Sequence, residues 1–474
     1  MTPTILGGIL IAAGCWLLLR GGVVAMFGLV VVSSLFGGSS AFLLPALGGS
    51  SVPPVNVALM FLAARVALPG SGQSDLVGAS LRDNLPLAIF VVYGVVMAIV
   101  GPRLFGDLIR VAPMRQANGP LFATLPLAAT SQNLTTAFYM TGTLLCAAGS
   151  YVACRDPRGL RMLVGAGIVT AWAHVGFGIL SVFGDNGVAA ATLGFFRNAG
   201  YAQLNQEVEG VVRITGIQPE PSSFAVVSVV WFAFMFECWS LKVRPRATGP
   251  LALSRFVILI AATSTSGYVG LVSYGAIRLC LAFSRGGTRR SLSLLALVFA
   301  AIIGGAALTY LYPAVLDSAA RIYDAVIAKK QSSDSGLQRA FWARQGLEVF
   351  VASNGLGIGP GSFRSSSIVT AIIGSTGVIG AAAFVAYLAR LAIGQAGPRP
   401  TSAEDERARI GIAATWAALS YFFVAAVVSA SPDPTAFFAI FAGAGLAARR
   451  PSTAPSAART AIARPARGLA MPSR

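Results

Sequence analysis

Few side chains in this sequence are equipped for chemistry, and most of them fall in two short stretches. The first, residues 213–225, reads RITGIQPEPSSFA and runs directly into the apolar VVSVVWFAFMF. Pro221 drives Glu220 out of the α region, Pro219 fixes its own φ and restricts Gln218, and Ser222 or Ser223 is a ready N-cap for the following helix. Glu220 is thereby pinned at a helix N-terminus, where the dipole favours its ionised form. Such a carboxylate is kept charged and aimed, although EPSS also reads simply as a helix start with an acidic cap.

The second stretch, residues 336–367, reads GLQRAFWARQGLEVFVASNGLGIGPGSFRSSS. Leu337, Phe341, Leu347 and Val351 recur at near-helical spacing, predicting an amphipathic helix lying on a membrane surface. Arg339 and Arg344 are separated by about 140° around that helix and cannot share a face. Arg344 can pair with Glu348 one turn on, whereas Arg339 has no helical acid partner and is freer to meet a ligand. GLGIGPGS is not a dinucleotide loop, since no βαβ unit surrounds it. What remains is a glycine turn exposing backbone N–H groups, followed by Arg364 and three serines at the start of a long helix, which favours a phosphate. The alternative is a flexible turn with a snorkelling arginine.

The remaining polar residues carry less. His174 has no second ligand at metal spacing and reads as a buried, hydrogen-bonded histidine. Arg65, Arg255 and Arg278 lie near span ends and can snorkel; Glu237 can reach the basic edge at Lys242. Glu207 and Glu209 make no metal site by themselves. No nucleophile elbow, HExxH, P-loop or DxD motif occurs, so neither a metal-dependent nucleotide-sugar transferase nor an ATP-driven pump is supported.

These residues must be positioned by membrane helices. Of 474 residues, 55% are hydrophobic and 11% charged, mean hydropathy is +0.73, and the apolar residues come in blocks of about 15 to 25. The fold class is all-α: a polytopic integral membrane protein with about 11–13 spans. A β-barrel is excluded because the blocks are apolar on every side rather than alternating. Candidate spans are 5–19, 22–36, 52–68, 85–101, 134–153, 162–183, 222–241, 292–312, 368–393, 410–430 and 435–448. Residues 251–283 have basic flanks on both sides and a TSTSG break, predicting a hairpin of two short helices. The net charge of +18 is spread over the connecting segments, which orients a membrane protein and does not favour nucleic acid. Five cysteines in or beside apolar blocks read as packing residues. The first block reads as a retained helix rather than a signal peptide. Residues 1–448 form the membrane domain. The tail 449–474, with six arginines and no acid, is expected to be disordered and cytoplasmic. Working back from it, loops 184–221 and 313–367 face outward. No internal repeat is evident, which disfavours duplicated transporter folds.

The order of short motifs resembles the O-antigen polymerase and ligase superfamily. The matching pieces are SQNLTTAFYM (131–140), RITGIQPEPSSFA, TSTSGYVGL (263–271), LQRAFWARQGLEVF with GLGIGPGSFRSSS, and GSTGVIG (374–380). The resemblance implies an inner-membrane enzyme with a periplasmic active face. It would join undecaprenyl-pyrophosphate-linked glycans with no nucleotide, metal or other cofactor, alongside a chain-length regulator. It implies that Arg213 and Arg339 hold the donor pyrophosphate and stabilise charge as it leaves. Arg344, Gly359, Gly361 and Arg364 join in substrate binding, and Glu220 takes the acceptor hydroxyl's proton or orients that hydroxyl. Ligases of this superfamily carry a histidine in the second outer loop. Here that loop has none, which favours a polymerase over a ligase. A transporter of an anionic amphipath is the alternative from another class, and most spans lack the deep polar residues it needs.

Overall fold

The computed structural model describes residues 2–44, 50–68, 73–114, 122–184, 187–200, 207–208, 211–284, 334–393 and 404–451. The candidate span 292–312 and the tail from residue 452 lie outside these. Among the described residues there are fifteen helices. In chain order they are α1 (Ile5–Arg20), α2 (Val23–Ser33), α3 (Pro54–Ala67), α4 (Ser74–Asp83), α5 (Leu85–Leu104), α6 (Ser131–Arg155), α7 (Pro157–Val182) and α8 (Gly187–Phe196). There follow α9 (Pro221–Ser240), α10 (Pro245–Ala261), α11 (Thr265–Ser284), α12 (Asp334–Ala352), α13 (Ile368–Ile393), α14 (Glu404–Ala425) and α15 (Thr435–Ala448). Six of them are long and apolar enough to cross a membrane: α5, α6, α7, α9, α13 and the Glu406–Ala425 part of α14. The strands are short antiparallel ties; Phe42–Leu44, for example, pairs with Thr2–Pro3 on one side and Ser50–Val52 on the other.

Helix α9 is the centre. Its sequence has no polar stripe, and accordingly it is enclosed by α10, α11 and α14, with 83% of its best apolar window buried. Trp231 and Phe234 pack edge-on and tilted against Phe441 of α15, with ring centroids 5.1 and 5.2 Å apart. Helix α15 in turn lies very close to α6. A Cβ at Gly443 would stand 2.2 Å from Ala147 O, so the small residues of AGAGLAA are what permit this approach.

The predicted helical hairpin is present: α10 and α11 are separated by a break at residues 262–264, where Thr263 takes a φ of 47°. Its arginines, however, do not snorkel. Arg255 is fully buried; its Nη1 lies 2.6 Å from His174 Nδ1 and its Nη2 donates to Ala171 O at 2.5 Å. A guanidinium can only donate, so Nδ1 accepts and the proton of a neutral His174 sits on Nε2. The ring stacks on Phe224 at 4.2 Å, which agrees with a buried, bonded histidine. Arg278 also turns inward, 2.6 Å from Glu237 Oε1, with Trp416 4.5 Å from the guanidinium and Tyr274 donating to the same carboxylate. Glu237 therefore does not reach an interface. Packing of the hairpin against α7, α9 and α14, invisible to a linear reading, supplies each buried charge with partners.

Candidate functional site

Segment 213–220 is held by side chains from three directions. Arg197 donates through Nε to Gly216 O at 2.7 Å and through Nη2 to Thr215 Oγ1. Ser181 Oγ accepts from the N–H groups of Thr215 and Gly216 at 3.2 and 3.1 Å. Gln218 Nε2 donates to Leu35 O at 2.8 Å, and Gly38 N–H donates to Ile217 O at 3.0 Å. Gly216, at φ 54°, folds back over Phe224, leaving 3.1 Å between a would-be Cβ and the ring. A side chain there would be strained in both respects. Helix α9 begins two or three residues earlier than the serine caps predict. Glu220 itself is the N-cap, with extended backbone, Pro221 is the first helical residue, and Ser222 Oγ donates to the Glu220 carboxylate.

Around Glu220 the structure gathers three of the four predicted arginines. Arg213 follows the hairpin of the strands Glu207–Val208 and Val211–Val212, and its Nη2 lies 3.5 Å from Thr263 O at the tip of the α10–α11 hairpin. Arg339 stands on α12, half-buried, and its guanidinium makes no hydrogen bond or ion pair among the described residues. Arg364 stacks over Trp342 of α12, 4.3 Å from the ring centroid, while its backbone N–H bonds Ala112 O. Ser366 Oγ donates to Arg339 O at 2.6 Å, fixing α12 against the start of α13. These charges sense one another. Burial lowers the Arg213 pKa, the charge of Arg339 lowers it further, and Glu220 and Tyr268 oppose both. Burial likewise lowers Arg364, opposed by Glu220 and assisted by Arg339. The Nε atoms of Arg213 and Arg364 are buried without an acceptor. Arg213 and Arg364 thus both sense the Glu220 carboxylate and the Arg339 charge, and each keeps a buried Nε donor unsatisfied among the described residues, which costs free energy unless a partner is supplied.

Arg344 is not part of this group. It is exposed and paired with Glu348 at 2.8 Å, the helical partner its spacing offers. Along α12 the apolar Leu337, Leu347 and Val351 are exposed while Gln345, Gly346 and Val349 pack inward.

The glycine turn does something other than expected. Helix α13 is broken at Gly377, with φ 57° and ψ −157°, and the turn lies in the break. Ile358 N–H donates to Gly374 O at 3.0 Å, Gly359 N–H to Ser375 O at 2.9 Å, Val378 N–H to Gly355 O at 2.8 Å, and Gly357 N–H to Ser353 Oγ at 2.9 Å. Gly359 and Gly361 have φ of 92° and 83° and press on α5 and α6, where a Cβ would stand 2.2 Å from Met97 O and 2.3 Å from Gln132 O. Asn133, from the 131–140 motif, donates to Pro360 O and Ser362 Oγ, both at 2.9 Å. This corrects the expectation that Gly359 offers its N–H group to a phosphate, since that group and those of Gly357 and Ile358 are already taken. Gly359 and Gly361 are buried scaffold, and what they deliver is the position of Arg364.

Beside Glu220 opens a cavity of about 460 Å³, walled by Asn56, Tyr139, Gln218, Ser223, Tyr421, Ser429, Asp433 and Phe437 among others. Asp433 was not singled out in the sequence. It is 7% exposed; Oδ1 accepts from Thr143 Oγ1 at 2.7 Å and from Thr435 N–H at 3.2 Å. The available signal was local: Pro432-Asp433-Pro434 opens α15 just as Pro219-Glu220-Pro221 opens α9. Ser365 N–H donates to Ala430 O at 3.2 Å, so the wall carrying Asp433 abuts the segment carrying Arg364.

No protein-family model matches this sequence, and no curated protein matches it.

Proposed function

We propose that the protein is a lipid-linked glycan polymerase, with the shorter apolar helices completing a bundle of about 11–13 spans. In this reading it lies in the bacterial inner membrane with Glu220 on the periplasmic side, and it joins oligosaccharide repeats carried on undecaprenyl pyrophosphate. The observation that supports it best is the group Arg213, Arg339, Arg364 and Glu220, in which cationic donors from separate segments surround one helix-capping carboxylate with few internal partners. A diphosphate supplies what the guanidiniums lack, accepting charge-assisted bonds in a forked geometry. Its polyprenyl tail stays among the apolar helix faces.

The reaction then balances simply. The acceptor hydroxyl oxygen bonds to the donor's anomeric carbon as the bond from that carbon to the diphosphate oxygen breaks. Arginines stabilise the departing charge, and the hydroxyl proton passes to Glu220. The polymerase reading is preferred to ligase because no histidine stands among residues 313–367.

Reconstitution in nanodiscs with a purified polyprenyl-diphosphate-linked repeat tests the proposal. Wild type yields a polymer ladder, Arg213→Ala yields none, and Glu220→Gln slows it by about 10² or more. An undiminished ladder from both variants removes the assignment.

A further inference from the structure

The cavity beside Glu220 differs in kind from the arginine group. Among the described residues no Lys, Arg or His lines it, whereas two carboxyl groups do: Glu220 at one wall and Asp433 at another. Each sits between two prolines at the start of an apolar helix, Glu220 as the N-cap of α9 and Asp433 one residue before the N-cap of α15. The prolines restrict the backbone on both sides, so each carboxyl is set in place before any ligand binds. Asp433 Oδ1 is taken by Thr143 and Thr435, while Oδ2 accepts no bond among the described residues. Asn56, 8% exposed and on the same cavity, makes no side-chain hydrogen bond among the described residues either. Both groups line the cavity and keep hydrogen-bonding capacity for a ligand there.

The chemistry these groups ask for is specific. Two carboxyls and an amide call for a ligand rich in O–H donors, and the absence of any lining cation turns away a phosphate or a uronic acid. Tyr139, Tyr421 and Phe437 provide rings against which the C–H face of a sugar can rest. We infer that this cavity is the subsite for an uncharged, hydroxyl-rich sugar at the end of the acceptor glycan, and that Asp433 and Asn56 anchor its hydroxyls. Glu220 then stands on the boundary, with the diphosphate on its arginine side and the acceptor sugar on its cavity side. This inference rests on the glycan-polymerase reading for which end of the substrate enters.

The test uses purified full-length protein in nanodiscs and two independent readouts. Saturation-transfer NMR reports binding of maltose, cellobiose and lactose, with glucuronate as the anionic comparison. Thermal shift by inorganic pyrophosphate reports the arginine group. At least one neutral disaccharide is expected to give a signal and glucuronate none. Asp433→Ala, Asp433→Asn and Asn56→Ala each lower that signal by about five-fold or more, as loss of one hydrogen bond of roughly 1 kcal/mol would. Asp433→Asn keeps the shape and the bond from Thr435, so its Tm stays at the wild-type value. The pyrophosphate shift persists in the Asp433 variants and disappears in Arg339→Ala. A pyrophosphate shift without any neutral-sugar signal overturns the cavity assignment and leaves the arginine reading standing. A sugar signal without a pyrophosphate shift sinks the diphosphate reading and keeps the cavity as a sugar site. Equal signals from glucuronate and the neutral sugars, or undiminished signals in both Asp433 variants, also overturn the inference.

Discussion

Replacing Arg339 by alanine separates a ligand-binding arginine from a structural one, because the two roles predict opposite signs for stability. The Arg339 guanidinium forms no ion pair or hydrogen bond among the described residues, and it lowers the pKa of both Arg213 and Arg364 by repulsion. Removing it costs no internal partner and relieves that repulsion, so Tm of the ligand-free protein should hold or rise. Surface changes of this sort normally stay within about 0.5 kcal/mol. Catalysis should respond differently. One charge-assisted hydrogen bond to a diphosphate contributes about 1.5–3 kcal/mol, equivalent to roughly a 10- to 150-fold fall in kcat/KM. Lysine, a point charge without the planar fork, should recover little of it. The assay pairs polymer formation in nanodiscs with Tm by intrinsic fluorescence, each with and without pyrophosphate. Wild type should be stabilised by the anion through mass action and Arg339→Ala should not. If Tm and activity fall together, Arg339 is a structural residue and the reasoning is refuted.

Two further outcomes follow from the scaffold. Gly377→Ala should severely lower stability and expression, since φ is 57° and the new Cβ would stand 2.0 Å from Gly355 O; a monodisperse protein with unchanged Tm would show that the break in α13 is not required. Asp83→Asn should weaken the opposite end of the bundle, where Asp83 accepts from Tyr151 at 2.8 Å, Arg390 at 3.1 Å and Arg450 at 2.6 Å. Arg390 and Arg450 are well exposed, so a loss of about 1 kcal/mol is expected. Burial raises the Asp83 pKa, but the bonds from Arg450 and Tyr151 and the charges of Arg450 and Arg390 outweigh it, leaving the value below the usual carboxylate range. A depressed folded-state value means this stability is fully present above the unfolded pKa and is lost as pH falls through the folded one. Acid melts should therefore narrow the gap between wild type and Asp83→Asn.

How much could be read in advance depended on whether the cause was local. The apolar blocks that became α5, α6, α7, α9 and α13 were legible because length and hydropathy are properties of the segment itself. So was the α10–α11 hairpin, whose break follows from a run of short hydroxylated residues and a glycine. Helix α8, only ten residues long, was folded into a loop because it is too short to read as a span. Arg255 and Arg278 were misplaced for a different reason. Their distance along the chain from a basic edge suggested an exit to water, whereas the partners that hold them, His174 and Glu237, come from α7 and α9. Nothing in the linear spacing names those partners.

The site divides along the same line. Glu220 could be proposed because prolines fix local geometry, and local geometry is what a sequence states directly, whereas Arg213 entered only through the family resemblance. The glycine turn looked like an anion cradle for the same local reason, yet the N–H groups of Ile358 and Gly359 were already committed to carbonyls freed by the break at Gly377. A donor's availability is therefore a tertiary property even where its conformation is a local one. Asp433 is the converse case. Its Pro-acid-Pro setting is as explicit as that of Glu220, but significance comes only from Thr143 on α6 and from a cavity whose walls span residues 34–437. The same Pro-acid-Pro sequence, set one residue differently at the two helix starts, thus yields one carboxyl beside cations and one away from them. That asymmetry is created by packing rather than by either motif, and under the proposed reading it would let a single site distinguish the charged end of a substrate from the uncharged one.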